Sequence, residues 1–284
     1  MKKGLVMEGG AMRGLFTAGV TDVFMENGIK FDGGIGTSAG AAFGCNYKSG
    51  QIGRSLRYNK RFCNDKRYFS TLGFIKTGNL YSDDFCYHEL PKVHDIFDFD
   101  EFNRNPMEFY IVCTDVETGM PVYHKYDKEQ DDIDTILEWI RASCAMPLLE
   151  QIVNVGGYSL LDGGVGDSVP LEYFESIGYD KNVVILTQPI SYVKKKLKYG
   201  AVAKLKYKNY PNLVEQMLNR HERYNAMYQR IREKEIKGEI VVIRPENPLD
   251  ISVTRDKDKM QRVYDLGRQE GLKNLEKVKK YLGC

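Results

Sequence analysis

The sequence predicts an α/β fold in which helices cover both faces of a mainly parallel sheet. Short apolar runs at residues 4–7 and 31–36 are each followed by a glycine-containing turn and a helical pattern, so a strand–turn–helix unit occurs twice near the start of the chain. Apolar runs at residues 183–187 and 240–243 predict two further buried strands. Alternating strands and helices form parallel sheets because each helix returns the chain to the edge where the next strand begins.

The elements between these strands follow from local patterns. The first helix is predicted to end at the Asn-Gly pair 27–28, and a helix of small residues, 39–47, follows the second strand directly. Residues 109–114 are β-branched and aromatic, which predicts a strand, and residues 121–126 are predicted to pair with it as a hairpin. Residues 60–105 are irregular and rich in aromatic side chains, which suits either a cap over a pocket or ordinary core beneath loops.

The second half of the chain is predicted to be mainly helical. Apolar spacing predicts helices at 133–143, 213–237 and 256–282, of which the second is strongly polar and the last is amphipathic. An apolar run at 159–161 leads into an Asp-Gly-Gly turn.

Composition argues against several classes of protein. A net charge of +2, with 28% charged and 42% hydrophobic residues, is ordinary for a globular chain, so no nucleic-acid partner is expected. No run approaches the ~18 uncharged apolar residues of a membrane-spanning helix. The first residues reach Glu8 too soon for a secretory signal, and the six cysteines form no C-x-x-C pair. We therefore expect reduced thiols, a cytoplasmic location, and neither metal nor cofactor.

A G-x-S-x-G motif with Gly36, Ser38 and Gly40 stands between the second strand and the small-residue helix. That context is typical of a nucleophile elbow, in which the serine occupies a strained turn that only flanking glycines can accommodate. The motif predicts that Ser38 is a nucleophile at a helix N-terminus. A tight turn with a capping serine is the alternative.

A glycine-rich turn joins the first strand to the first helix and contains Gly9, Gly10, Ala11, Arg13 and Gly14. Free N–H groups at such a turn can form an oxyanion hole, aided by the helix dipole. Arg13 either stabilises an anion near that hole or is a solvated arginine at the helix start.

The same 9–14 turn nearly matches the dinucleotide fingerprint G-x-G-x-x-G, and Asp32 then becomes the candidate ribose-binding acid. Ala11 replaces the second glycine and obstructs the close approach of a pyrophosphate. This alternative also leaves the motif around Ser38 without a role.

Asp162, Gly163 and Gly164 form the Asp-Gly-Gly turn, where Asp162 can accept the proton of Ser38. A carboxylate has an ordinary pKa of about 4, so this role requires burial that raises the pKa of Asp162. A plain turn is the alternative. A triad in the order Ser38, Asp162, His221 is formally possible, but His221 stands in a charged helical segment, which favours a surface role.

These three motifs, in this order, resemble the patatin-like phospholipase family. The resemblance implies a three-layer α/β/α sandwich, a Ser38–Asp162 dyad without histidine, and hydrolysis of lipid or lysolipid esters. It also implies a single domain over residues 1–284, with the catalytic motifs in 4–170 and residues 180–284 packing on or extending them. Ala11 departs from the family, which usually has glycine there. A lipid-binding protein without turnover is the second hypothesis.

Residues 192–210 combine seven lysines with apolar side chains. Such a segment can rest on an anionic bilayer, at about 1 kcal/mol per lysine near the surface. A solvated basic segment is the alternative.

Overall fold

One sheet of eight strands forms the centre of the molecule, and the computed structural model describes all 284 residues. The strands are β1 (Lys3–Met7), β2 (Gly33–Thr37), β3 (Glu108–Asp115), β4 (Pro121–Lys125), β5 (Val153–Val155), β6 (Tyr158–Asp162), β7 (Lys181–Ile185) and β8 (Val241–Ile243). Their order across the sheet is β5, β6, β3, β2, β1, β7, β8, with β4 also paired to β3. Four pairs are parallel: β3 with β2, β2 with β1, β1 with β7, and β7 with β8. Strands β4 and β6 run antiparallel to β3, and β5 runs antiparallel to β6.

Ten α-helices connect or flank these strands. They are α1 (Gly14–Glu26), α2 (Ala39–Lys48), α3 (Arg54–Phe62), α4 (Thr71–Thr77), α5 (Phe99–Arg104), α6 (Ile133–Cys144), α7 (Leu171–Ser176), α8 (Gly200–Lys206), α9 (Pro211–Ile236) and α10 (Lys257–Leu282). A 3₁₀ turn at Ala11–Arg13 precedes α1, and a helix of π form spans Asp84–His94. No helix combines the length and the apolar character needed to cross a bilayer.

Side-chain alternation along the strands creates two cores. In β1, Leu5 and Met7 face the larger core, which includes Phe16 of α1, whereas Val6 faces the smaller core with Phe174 of α7. Helices α1, α2 and α10 cover the first face, and α7 and the C-terminal part of α9 cover the second. The predicted three-layer α/β/α sandwich is confirmed.

Glycines allow α1 and α10 to cross in close contact. A Cβ on Gly19 would stand 2.2 Å from the carbonyl oxygen of Tyr264, and a Cβ on Gly267 would stand 2.1 Å from that of Phe16. Backbone therefore packs against backbone at this crossing, which fixes α10 against the N-terminal half of the chain.

The structure differs from the sequence predictions mainly in short elements. Strand β2 begins at Gly33 rather than at residue 31, because the ring of Phe31 packs against Phe24 and Tyr47 before the ladder starts. Strand β5 and the helices α3, α4, α5, α7 and α8 were not predicted. They have between three and nine residues, so tertiary packing rather than local periodicity determines them.

Candidate active site

Ser38 occupies a strained turn between β2 and α2. Its φ and ψ of 55° and −124° lie outside the regions that side chains usually adopt. A Cβ on Gly36 would stand 2.5 Å from the backbone nitrogen of Ala41, and a Cβ on Gly40 would stand 2.3 Å from the carbonyl oxygen of Met7. Only glycine fits at these two positions, so the sequence motif corresponds to a steric requirement of the turn.

Asp162 meets Ser38 across the sheet. The Ser38 hydroxyl donates to Oδ2 of Asp162 at 2.6 Å, and both residues are buried. The backbone N–H of Gly164 donates to Oδ1 of Asp162 at 2.7 Å, and the hydroxyl of Thr114 donates to its carbonyl oxygen at 2.8 Å. Burial raises the pKa of Asp162, against the opposing effects of the Arg220 charge and the Ser38 hydroxyl. A raised pKa brings a carboxylate closer to the range of a useful general base.

The 9–14 turn runs beside Ser38, since a Cβ on Gly9 would stand 3.0 Å from that of Ser38. The N–H groups of Gly9, Gly10 and Ala11 donate to no protein acceptor, whereas the N–H groups of the next two residues donate to backbone carbonyls. Ala11 has a φ of +48°, a conformation that favours glycine. The turn therefore presents three successive free donors, one of them on a strained residue.

Arg13 and Gly14 play different parts at the end of this turn. The Nε of Arg13 is buried without a hydrogen-bond partner. A Cβ on Gly14 would stand 2.7 Å from that of Ala39 and 2.8 Å from the ring of Phe43, so this glycine allows α1 to approach α2. A Cβ on Gly163 would stand 2.0 Å from the carbonyl oxygen of Val112, which explains the first glycine after Asp162.

Sequence patterns did not single out the functional importance of Ser143, at the end of α6. Its hydroxyl accepts the backbone N–H of Ser38 at 2.8 Å and donates to the carbonyl oxygen of Val112 at 2.6 Å. Its own carbonyl accepts the N–H of Gly163 at 3.2 Å. Ser143 thus holds both the turn that contains Ser38 and the turn that begins at Asp162.

Glu8, which sequence analysis also left without a role, anchors the start of the glycine turn. Its Oε2 accepts the backbone N–H of Thr187 at 2.5 Å and the Tyr228 hydroxyl at 2.9 Å, and its Oε1 accepts the Tyr224 hydroxyl at 2.5 Å. The hydroxyl of Thr187 also donates to the carbonyl oxygen of Gly9 at 3.2 Å. These bonds connect the glycine turn to the segment that follows β7 and to α9.

An apolar cavity opens beside Ser38 and is partly lined by residues 60–105. Of its 27 lining residues, 19 are hydrophobic, and Ser38 and Ala11 contribute to its wall. Apolar and aromatic members from this cap region and from α2 and α6 include Phe43, Tyr87, Leu90, Phe97, Leu137 and Ile140. A cavity of this character suits a hydrocarbon chain.

Two alternative sites are not assembled. Nδ1 of His221 lies 3.0 Å from the carbonyl oxygen of Leu218, and no histidine forms a hydrogen bond with Ser38 or Asp162. The carboxylate of Asp32 accepts the N–H of Lys3 at the beginning of β1, whereas the glycine turn follows the end of that strand. The structure therefore assembles neither a Ser38–Asp162–His221 triad nor a dinucleotide site that combines Asp32 with the 9–14 turn.

Comparison with known proteins gives two family matches. A model described as patatin-like phospholipase matches residues 5–175, and a domain of unknown function, DUF6363, matches residues 210–283.

Individual proteins show more distant similarity. The uncharacterized protein YjjU of Escherichia coli (strain K12) is 34% identical over 199 residues, which cover 65% of this chain and 52% of that protein. Lysophospholipase nte1 of Aspergillus terreus is 24% identical over 97% of this chain but only 18% of its own length. The chain thus matches about half or less of these relatives. The solved structure of VipD from Legionella pneumophila aligns over 98% of this chain and 67% of its own, at 13% identity and a TM-score of 0.47, which is too low to support an inference.

Proposed function

The chain belongs to the patatin-like phospholipase family, and on that premise we propose that it is a serine-dependent hydrolase of lipid acyl esters. The observation that carries the proposal is the 2.6 Å hydrogen bond from the Ser38 hydroxyl to the buried carboxylate of Asp162, beside a turn with three free N–H groups. A nucleophile, a base and oxyanion donors are the parts that acyl transfer requires.

The proposed reaction has two halves. Ser38 attacks the ester carbonyl while Asp162 takes its proton, and the N–H groups of Gly9, Gly10 and Ala11 bind the oxyanion. Asp162 then returns the proton to the leaving alcohol. Water attacks the acyl-enzyme by the same route, with Asp162 as base, and restores Ser38. The apolar cavity beside Ser38 accommodates the acyl chain during both halves.

Residues 192–210 are proposed to contact an anionic membrane surface peripherally. Val193, Tyr199, Val202 and Leu205 are exposed apolar or aromatic side chains among the lysines of this segment. Lys194 is an exception, because it is half-buried and its ammonium lies against the ring of Tyr224 on α9. The cytoplasmic location expected from the sequence stays a prediction.

A hydrolysis assay with a lysophospholipid tests the proposal. Ser38→Ala and Asp162→Asn should each lower kcat by at least about 10³-fold, while the exposed controls Ser176→Ala and Asp180→Asn should retain full activity. A fluorophosphonate probe should label the wild type but not Ser38→Ala. Full activity in Asp162→Asn would remove the aspartate from the mechanism. Lipid binding without turnover or labelling would favour the non-catalytic alternative.

A further inference from the structure

Two cationic side chains, Arg220 and Lys194, lie near Asp162 but do not line the apolar cavity. Ser38 lines that cavity, whereas Asp162, Arg220 and Lys194 do not. Arg220 comes from α9 and Lys194 from the segment that follows β7, so both belong to the part of the chain beyond the 5–175 family match.

Arg220 lies close to Asp162 because Gly164, which stands between them, has no side chain. A Cβ on Gly164 would stand 2.7 Å from Nη2 of Arg220 and 2.9 Å from Oδ1 of Asp162. The single hydrogen bond of the guanidinium runs from Nη2 to the hydroxyl of Ser168 at 3.2 Å, and its Nε is buried without a partner. By contrast, Arg223 on the next turn of α9 donates to two backbone carbonyls. Arg220 thus keeps unused donors beside the base.

Lys194 is held next to Arg220 by its backbone. Its N–H donates to the side chain of Asn225 at 2.8 Å, and its carbonyl accepts from that side chain at 3.1 Å. Its ammonium lies 4.5 Å from the ring centroid of Tyr224 and has no carboxylate partner. Burial, followed by the charge of Arg220, lowers the pKa of Lys194 to about 7, against the opposing effect of Glu8.

The nearby carboxylates are already committed to other donors. Glu8 is saturated by Thr187, Tyr224 and Tyr228, and Asp162 is engaged by Ser38 and by the turn that follows it. Neither Arg220 nor Lys194 forms an ion pair with these carboxylates, so both keep donors for a bound anion, whose negative charge would stabilise two neighbouring cations that are partly withdrawn from water.

The chemistry of the reaction indicates which anion. Asp162 must reach the leaving oxygen to protonate it, so the group attached to that oxygen comes close to Arg220 and Lys194 while the acyl chain stays in the apolar cavity. In a glycerophospholipid that group carries a phosphate, and guanidinium and ammonium groups bind phosphate well. We propose that Arg220 and Lys194 form an anion subsite for the phosphate of the leaving group, which makes phosphate-bearing lipid esters the preferred substrates. This inference rests on the proposed hydrolase activity.

The test compares two esters of the same short acyl chain, a lysophosphatidylglycerol and a monoacylglycerol, both below their micelle concentrations. Arg220→Gln and Lys194→Gln should each lower kcat/KM for the phosphate ester by about 10- to 100-fold more than kcat/KM for the neutral ester, mainly through KM, whereas any change in the pKa of Asp162 caused by the lost charge affects both esters equally. Arg220→Lys should retain part of the preference. The exposed controls Arg232→Gln and Lys237→Gln should leave both substrates unaffected.

Other outcomes overturn the proposal in distinguishable ways. An equal loss of kcat/KM on both esters would mean that Arg220 acts through Asp162 or through the stability of the fold. A wild type that shows no preference for the phosphate ester would contradict the anion subsite but not the proposed hydrolase activity. If the wild type hydrolyses neither ester, the proposed function fails, and calorimetric binding of glycerol 3-phosphate to wild type and Arg220→Gln still decides the subsite. Binding of inorganic phosphate alone, without glycerol 3-phosphate binding, would assign the site to free phosphate and overturn the leaving-group assignment.

Discussion

Two residues of the candidate site, Ala11 and Ser38, hold backbone conformations that side chains normally avoid, with φ of +48° and +55°. At Ser38 the surroundings enforce the conformation, because Ser143 holds its N–H and the glycines on either side permit close packing. At Ala11 the strained residue is the last of three, after Gly9 and Gly10, whose N–H groups have no acceptor within the protein.

Replacing Ala11 with glycine should stabilise the fold. Glycine adopts a positive φ without the steric cost of a Cβ, so Ala11→Gly should raise the free energy of unfolding by about 1 kcal/mol, measured by thermal or denaturant unfolding. Ala41→Gly, within α2, should instead lower it by about 1 kcal/mol. If Ala11→Gly is less stable than the wild type, the packing of the alanine methyl group contributes more free energy than the positive φ costs.

Removing the Ser143 hydroxyl should weaken the serine turn. In Ser143→Ala the buried N–H of Ser38 loses its acceptor, so we expect about 1–3 kcal/mol less stability and roughly a tenfold lower kcat. Chemical denaturation and steady-state hydrolysis measure the two effects, with the exposed Ser176→Ala as control. An unchanged kcat would show that the turn holds its geometry without this bond.

At the scale of elements, the candidate site depends on contacts that three helices make with its turns and with α1. At the end of α6, the carbonyls of Ser143 and of the residue that follows the helix accept the N–H groups of Gly163 and Asp162. Helix α9 contacts the turn after Asp162 through Arg220 and Arg223. Helix α10 lies farther away, but its crossing with α1 supports the helix that follows the glycine turn.

A methyl group at the crossing of α1 and α10 should be costly. In Gly267→Ala the new Cβ meets the backbone of Phe16, which cannot move aside as a flexible side chain would, so the helices must separate. We expect a loss of about 2–3 kcal/mol in the free energy of unfolding, measured by urea titration. Lys277→Ala, on the exposed face of α10, should change it by less than about 0.5 kcal/mol. Equal stability of the two variants would contradict the tight crossing.

The sequence predicted those elements and residues whose structure is determined by neighbouring positions in the chain. Ser38 and its flanking glycines were recognisable because a strained turn imposes its residue types on five consecutive positions. Ser143 and Arg220 were not assigned to the site, because each acts on a segment more than fifty residues away in the chain. In the same way the polar pattern of α9 suggested a surface helix, although one side of it covers the aspartate turn.

At the scale of the whole molecule, both parts of the chain contribute to one sheet and to shared cores. Strand β8 extends the sheet beyond β7, and buried residues of α10 belong to the same core as α1. We propose that residues 1–284 fold as a single unit, as the resemblance to the family implies.

Truncation tests this unit. A chain that ends at residue 209 lacks α9, β8 and α10, which exposes apolar surface on both faces of the sheet. We expect the full chain to unfold in one cooperative transition by circular dichroism and the truncated chain to show none. Native-like unfolding and hydrolysis by the truncated chain would show instead that the N-terminal part is an independent domain.

The dependence of activity on pH should differ between the two classes of ester. Asp162 works when ionised, and its pKa is above the ordinary value, so kcat/KM should fall for both esters as the pH is lowered through that pKa. Lys194, which faces Arg220, Arg13, Glu8 and Asp162, has a pKa of about 7 and loses its charge as the pH rises. Only the phosphate ester should therefore lose kcat/KM above about pH 7.

The pH profiles of wild type and Lys194→Gln measure this difference. The variant should lack the decline above about pH 7 with the phosphate ester and should keep the decline at low pH with both substrates. The same high-pH decline with the neutral ester would assign it to a group other than Lys194.

The contact between α9 and the aspartate turn has a consequence for how relatives are compared. Arg220 stands in the stretch matched by DUF6363, outside the stretch that carries the three motifs. Substitutions in α9 can therefore change the charge near Asp162 while the three motifs stay the same. Relatives that share the three motifs can therefore differ in the charge at this position, and exchanging α9 between such chains offers a route to altered selectivity.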